Sequence, residues 1–236
     1  MARKGKARPA ASPKLANGSI RERIIAAFLD LLAEKRFEQI GLSEIASKAG
    51  VSLADMRTEF SSTFAILAAR IKDIDRAVLA DVDADMAEEP PRERLFDVLM
   101  RRIELLEPHR DAVRSLMRSA TFNPGLAFAL NALAVRSQQW MLTAANIPAA
   151  GPMGQVRAQG LALLFANVLR TWIDDDEKGS PRTLAALDRA LASGQRWVGF
   201  IDDICAIPSR ICRVVKPPRG RSRGSRRRED DESLAA

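Results

Sequence analysis

The chain has 236 residues, of which 47% are hydrophobic and 28% are charged, and its net charge is +7. This balance is ordinary for a soluble globular protein and excludes collagen-like, disulfide-dense and wholly disordered chains. No apolar run reaches the roughly 18 residues of a membrane-spanning helix, and no apolar stretch follows the basic N-terminus as in a secretory signal. We therefore expect a cytoplasmic protein without stable membrane insertion.

The positive charge lies in two terminal segments. Residues 1–18 carry five basic residues and no acidic one, and residues 210–236 carry nine basic and four acidic residues. This leaves 23 basic and 26 acidic residues for 19–209, a net charge of −3. We predict a disordered basic arm at 1–18 and a disordered basic tail at 207–236, and both can attract nucleic acid or an anionic surface.

Between these segments the apolar residues recur with helical spacing, and no segment shows the alternation of a strand. Glycines and prolines divide this region into nine predicted helices, and Pro91, Pro108 and Pro124 open the fifth to seventh. The others are predicted at Ser19–Arg36, Leu42–Ala49, Leu53–Phe60, Ser62–Ala87, Gly154–Ile173 and Pro181–Ile204. The pattern predicts an all-α fold.

The stretch from Leu42 to Phe60 has the pattern of a helix-turn-helix. Ala46 and Gly50 are small enough for two helices to cross closely, and Val51 can fill the corner between them. Ser52 can cap the second helix through its hydroxyl. In a helix-turn-helix this second helix enters the major groove of DNA.

Residues from Ile20 to about Ile71 resemble the N-terminal domain of the TetR family of transcriptional regulators. The similarity lies in AAFLDLLAEKRFEQI at the end of the first helix, in LSEIASKAGVS, and in Phe60 before a long fourth helix. The helix count of the remaining chain is also similar. We predict a TetR-like architecture, with a three-helix DNA-binding head at 19–63 and a helical-bundle ligand-binding and dimerisation body at 64–206.

This resemblance implies a homodimer that binds double-stranded DNA through paired recognition helices. The last two helices, about Gly154 to Ile204, would form the dimer contact. A small apolar effector in the body would tilt the fourth helix and release the DNA, which couples two sites through one element. The chain would then be a sequence-specific transcriptional regulator, with repression as the expected mode.

The expected DNA-binding surface departs from the family pattern. The family usually has Lys where Leu53 and Thr63 stand, and Glu59 places negative charge where a phosphate is expected. Seven basic and seven acidic residues balance between Ser19 and Ile71, so we expect weak binding by the head alone, because phosphate neutralisation supplies much of the affinity. The candidate DNA-binding residues are Ser43, Lys48, Ser52, Leu53, Ala54, Arg57, Thr58 and Thr63.

Bulky apolar residues of the body are the candidates for lining an effector cavity, although most of them should be ordinary core. They are Phe96, Met100, Met117, Phe122, Phe128, Trp140, Phe165 and Trp172.

Nothing in the sequence indicates an enzyme, a metal site or a cofactor. His109 is the only histidine and is expected at the surface, so a His-based metal site or a pair of histidine bases cannot form. The acidic run from Asp174 to Glu177 is expected to be solvated. Cys205 and Cys212 do not have zinc-site spacing, and no nucleophile-elbow motif surrounds Ser115 or Ser119.

A second hypothesis is a lipid-binding protein of the same fold. Accessory proteins of ubiquinone biosynthesis resemble this architecture and bind isoprenoid lipid without reading DNA. The segment from Thr171 to Trp197 is loosely similar to their C-terminal pattern of Trp and Asp, a short loop, and Thr, Leu and Asp on the next helix.

Overall fold

Helices make up most of the chain that the computed structural model describes, which comprises residues 18–81, 88–177 and 179–193. Eight helices have defined ends: α1 Ile20–Glu34, α2 Leu42–Ala49, α3 Leu53–Glu59, α4 Thr63–Ala80, α5 Pro91–Leu106, α6 Arg110–Phe122, α7 Pro124–Ala144 and α8 Gly151–Trp172. Residues 181–193 are also helical and are called α9. No strand occurs in these three ranges, and the predicted all-α fold is confirmed.

Two helix ends differ from the prediction by three residues or more. Helix α4 ends at Ala80 with Asp81 as its C-cap, whereas the sequence pattern extends it to Ala87. Aspartate is a poor helix former, and its carboxylate is unfavourable at the negative end of the helix dipole. Helix α8 begins three residues early, at Gly151. The basic arm up to residue 17, the tail, both cysteines and the predicted end of the ninth helix lie outside the described residues.

The first of two apolar clusters, the head cluster, joins α1, α2, α3 and the start of α4. Its fully buried side chains include Phe28, Ile45 and Ile66. The body cluster joins the second half of α4 with α5, α7, α8 and α9, around Leu99, Met141 and Trp172. Each cluster buries the apolar faces that the helical spacing predicts.

Helix α6 ties the two clusters together along α1. The Ser115 hydroxyl donates to the carbonyl oxygen of Lys35 at 2.6 Å, and the backbone N–H of Phe37 donates to the Ser119 hydroxyl at 3.0 Å. Both serines are buried, and they satisfy the carbonyl group of the C-cap of α1 and the first N–H of the 3-10 turn Phe37–Gln39, which lack helical partners. These serines therefore hold α6 against the head.

The sequence predicted that the acidic run after α8 is solvated, but one of its residues is buried. Asp175 is fully buried, and its Oδ2 accepts hydrogen bonds from the backbone N–H and the hydroxyl of Thr183, both at 2.8 Å. The prediction is wrong at Asp175, because this carboxylate satisfies a backbone N–H in the first turn of α9, where such groups lack helical partners.

Candidate nucleic-acid interface and effector cavity

The corner between α2 and α3 has the geometry of a helix-turn-helix. Gly50 adopts the left-handed conformation with φ of 65°, which glycine reaches without a steric penalty. The next N–H, of Val51, donates to the carbonyl oxygen of Ala46 at 3.0 Å, and the Val51 side chain is buried. Ser52 then caps α3 by accepting from the N–H of Asp55 at 3.0 Å.

Helix α3 has a buried inner face and an exposed outer face. Met56 on the helix and Phe60 at its end are buried in the head cluster. The outer face carries Leu53, which is 57% exposed, and Arg57, which is also exposed. In the part of the chain that the structure describes, Arg57 makes no ion pair or side-chain hydrogen bond. Its guanidinium is therefore available to a partner outside the head.

The structure places six of the eight candidate DNA-binding residues at exposed positions: Ser43, Ser52, Leu53, Ala54, Arg57 and Thr58. Thr63 is half-buried at the start of α4. Lys48 is half-buried too, and its Nζ lies 3.4 Å from the Glu34 carboxylate and 3.9 Å from that of Asp30. Its charge is therefore shared with α1, which the sequence pattern did not reveal.

Acidic side chains lie on the same outer surface. Asp55 and Glu59 are both exposed. Hydrogen bonds from the side chain and then the backbone of Ser52 lower the pKa of Asp55, so this carboxylate stays ionised at neutral pH. The outer surface around α3 therefore carries two acidic side chains that would repel phosphates, in line with the neutral net charge predicted for the head.

A cavity of about 180 Å³ lies where the head meets the body. Leu29 and Leu32 of α1 and Leu67 and Ile74 of α4 form one part of its wall, and Phe165 of α8 forms another. The wall is mostly apolar, as in typical small-molecule sites, with a few polar side chains. These polar residues are Arg70, Arg102, His109 and Gln138.

Arg102 is buried against a carboxylate in the wall of this cavity. Its Nη1 lies 2.9 Å from Asp75 Oδ1 and also donates to the Ser137 hydroxyl, which in turn donates to Asp75 at 2.7 Å. The guanidinium lies over the Phe165 ring, 5.4 Å from its centroid. Burial lowers the pKa of Arg102, and Asp75 opposes that effect.

The sequence predicted His109 at the surface, and this prediction is wrong. His109 is half-buried and lines the cavity, and it ends the 3-10 turn Glu107–His109 just before α6 begins. Burial and the nearby charge of Arg70 lower the pKa of His109, while Asp30 raises it. The charged form of the imidazole is therefore disfavoured in the folded protein.

Of the eight bulky residues predicted to line an effector cavity, Phe165 does so. Phe122, Phe128 and Trp140 are 68%, 78% and 58% exposed. Trp172 is buried in the body cluster, with its Nε1 donating to Glu107 at 3.0 Å. The other three, Phe96, Met100 and Met117, are half-buried and do not line the cavity.

The cavity instead opens where side chains are short. Ala134 of α7 and Ala162 of α8 line it, because small residues leave space between helices that bulky residues fill. Bulky apolar residues were the predicted lining, whereas these alanines and the charged Arg70 and Arg102 of the wall give no local signal in the sequence.

A helix-turn-helix head joined to a helical bundle is the architecture of TetR-type regulators, and comparison with solved structures confirms this fold. A TetR transcriptional regulator from Nitrosomonas europaea matches with a TM-score of 0.60 and 21% identity, over 75% of this chain and 99% of that chain. One from Rhodococcus sp. RHA1 matches with a TM-score of 0.53 and 21% identity, over 74% and 95%. A third, from Streptomyces coelicolor, gives 0.50 and 17%, over 86% and 91%.

No family model matches the sequence, and no curated protein sequence matches it. Within the described residues, no helix is both long enough and apolar enough to cross a membrane. The same residues contain no group of three or more His, Cys, Asp or Glu side chains placed to hold a metal ion.

Proposed function

We propose that the protein is a DNA-binding transcriptional regulator, not an enzyme, and that a small molecule in the cavity controls its affinity for DNA. The observation that carries this proposal is the outer face of α3, where Arg57, Thr58 and Leu53 are exposed while Met56 holds the helix to the head from behind. A helix presented in this way fits the major groove, with its polar side chains on base edges and phosphates.

A two-fold dimer through α8 and α9 is part of this proposal. Val156 and Leu163 on α8 are 50% and 61% exposed. Together with Gly160, which lies between them at helical spacing, they form one exposed apolar stripe. An apolar stripe of this kind is typical of an interaction surface, and a second copy can cover it symmetrically. Such a dimer presents two α3 helices to successive major grooves, roughly 34 Å apart.

The position of the cavity supports control by a ligand. Its wall includes Leu29 and Leu32 of α1, Leu67 of α4, and Ala112 and Leu116 of α6. An occupant therefore touches the head itself as well as the body. A ligand that binds one orientation of the head more tightly than another shifts the equilibrium between them, and release of DNA follows in a repressor.

The test of DNA binding uses fluorescence anisotropy with fragments from the region flanking the gene. Arg57→Ala should weaken specific binding by about 1–3 kcal/mol, the range for loss of one base-reading arginine. Arg76→Ala removes an exposed arginine from α4, outside the head, and serves as the matched control. Equal affinities for Arg57→Ala and the unaltered protein would remove α3 from the interface.

A truncation tests the contribution of the basic arm. Because the head is neutral, we expect removal of residues 1–18 to weaken DNA binding and to flatten its dependence on salt, since fewer phosphates are then neutralised. Affinities measured between about 50 and 200 mM salt give the slope for both proteins. An unchanged slope would show that the arm does not contact DNA.

The neutral head favours the alternative, a lipid-binding protein that does not read DNA, but the size of the cavity does not. A cavity of about 180 Å³ is below the roughly 300–1,000 Å³ of sites for drug-sized ligands, and an isoprenoid tail needs more space still. Extraction of the purified protein followed by mass spectrometry separates the two: a stoichiometric isoprenoid together with no binding to any flanking fragment would establish the alternative.

A further inference from the structure

We propose that the cavity between head and body binds a small carboxylic acid with an apolar body, and that Arg70 and Arg102 hold its carboxylate. This inference rests on the effector role proposed above and names the ligand class for the same cavity. It replaces the purely apolar effector expected from the family resemblance with an amphipathic, negatively charged one.

The volume sets the size of the ligand. An apolar protein cavity of about 150 Å³ holds one benzene molecule, and the cavity here has about 180 Å³. Leucine and isoleucine side chains of α1 and α4, together with the Phe165 ring, form its apolar wall. One aromatic ring, or a branched chain of similar volume, with one compact polar group matches this space.

Two buried donors point to an anion. The Nε atoms of Arg70 and Arg102 are buried, and in the described part of the chain neither has a hydrogen-bond acceptor. Arg102 is 7% exposed, and its Nη1 is already bonded to Asp75 and Ser137. A buried donor without an acceptor costs free energy, and a carboxylate oxygen supplies the acceptor as a charge-assisted bond.

The charge of the wall favours one negative group. Asp75 compensates Arg102, and Arg70 adds a second guanidinium, whose pKa burial lowers while the nearby Asp73 opposes that effect. A buried cation whose charged form is disfavoured gains from an anionic partner. Among the described residues that line the cavity there is no aspartate or glutamate, so no carboxylate of the lining itself repels that of a ligand.

Gln138 points to a further feature of the ligand. It is 2% exposed and lines the cavity from α7, and no group in the described residues donates to its Oε1. A ligand hydroxyl would donate to this oxygen while the carboxylate accepts from the arginines. A hydroxy-substituted aromatic acid therefore complements more of the wall than an unsubstituted acid does.

The experiment measures binding to the full chain in the absence of DNA, by calorimetry and thermal shift. The probes are benzoate, its neutral isostere benzamide, and 4-hydroxybenzoate. We expect benzoate to bind at least tenfold more tightly than benzamide, and 4-hydroxybenzoate to bind more tightly than benzoate. Equal affinity for benzoate and benzamide, or no binding of either acid at 10 mM, would overturn the proposal.

Two variants assign the contacts. Arg70→Met should weaken benzoate binding at least tenfold and leave benzamide within about threefold, whereas a general loss of cavity shape would weaken both. Gln138→Leu should abolish the preference for 4-hydroxybenzoate over benzoate, because it removes the oxygen that would accept from the ligand hydroxyl. If Arg70→Met does not fold, the comparison of benzoate with benzamide on the unaltered chain decides the question.

Since these measurements omit DNA, they fail independently of the regulator proposal. Loss of DNA binding in Arg57→Ala with no binding of any acid would overturn the ligand class alone. Binding of the acids by a protein indifferent to all DNA fragments would support the ligand class and overturn the regulator.

Discussion

The head and the body bury different kinds of side chain. The head cluster is built from apolar residues such as Phe28 and Ile45. The body buries Arg102, Asp75, Ser137 and Gln138 beside its apolar cluster, and the cavity borders on it. The head is therefore an apolar frame that presents one helix. The body, in contrast, holds buried polar groups that lack some of their hydrogen-bond partners, which is typical of a functional site. Substitutions in the head and in the body test this difference.

The largest effect is expected in the head, for Phe28→Ala. Phe28 is fully buried, and its ring meets that of Phe37 edge-on at 6.2 Å between centroids. Truncation should cost about 3–5 kcal/mol of unfolding free energy, the usual range for a buried phenylalanine, and should abolish DNA binding. Urea denaturation followed by circular dichroism measures the loss.

Phe128→Ala is the matched control for that substitution. Phe128 is 78% exposed on α7, so its truncation should change the free energy of unfolding by no more than about 0.5 kcal/mol. Similar losses for the two variants would contradict the packing described for the head.

In the body, Arg102→Met should be nearly as damaging for a different reason. It leaves the buried Asp75 carboxylate with only the Ser137 hydroxyl, and breaking one side of a buried ion pair costs about 3–5 kcal/mol. The double variant Asp75→Asn with Arg102→Met removes that charge and should recover much of the loss. A double variant as unstable as the single one would show that the arginine acts through packing and not through its charge.

A smaller effect of opposite sign is expected for Gln138→Leu. The substitution removes a buried acceptor that has no donor in the described residues, at similar side-chain volume. The unliganded protein should therefore be unchanged or more stable by up to about 1 kcal/mol. A loss larger than this in urea denaturation would show that the amide supports the fold.

The smallest effect concerns pH. The pKa of His109 is lowered in the folded protein, first by burial and then by Arg70, so the folded state binds this proton less readily than the unfolded state. His109 therefore favours folding above its ordinary pKa, near 6.5, and this advantage is lost as the pH falls below that value. His109→Gln should flatten the decline in the urea midpoint between pH 7 and pH 5. A variant with an unchanged decline would exclude His109 as its source.

Much of the head was predictable from the sequence. Met56 and Phe60 are buried, Val51 fills the corner and Ser52 caps α3, all as the spacing indicates. Each of these features depends on residues within a few positions of each other. Helical periodicity and capping chemistry act over that distance, and a single sequence shows them directly.

The cavity was not predictable in the same way. Ala134, Ala162 and Arg102 belong to three different helices, and no local pattern shows that they face one space. The pairing of Lys48 with Glu34 has the same origin, because it joins the side chains of two crossing helices. Which apolar residues leave a gap depends on volumes contributed by every helix around it.

For this chain, helix positions, the left-handed turn at Gly50 and the exposed outer face of α3 follow from short-range spacing, because local sterics and periodic burial decide them. The cavity, the burial of Arg102 against Asp75, and the inward position of His109 arise only when distant helices pack. Their energetics depend on a low-dielectric environment that no single segment creates.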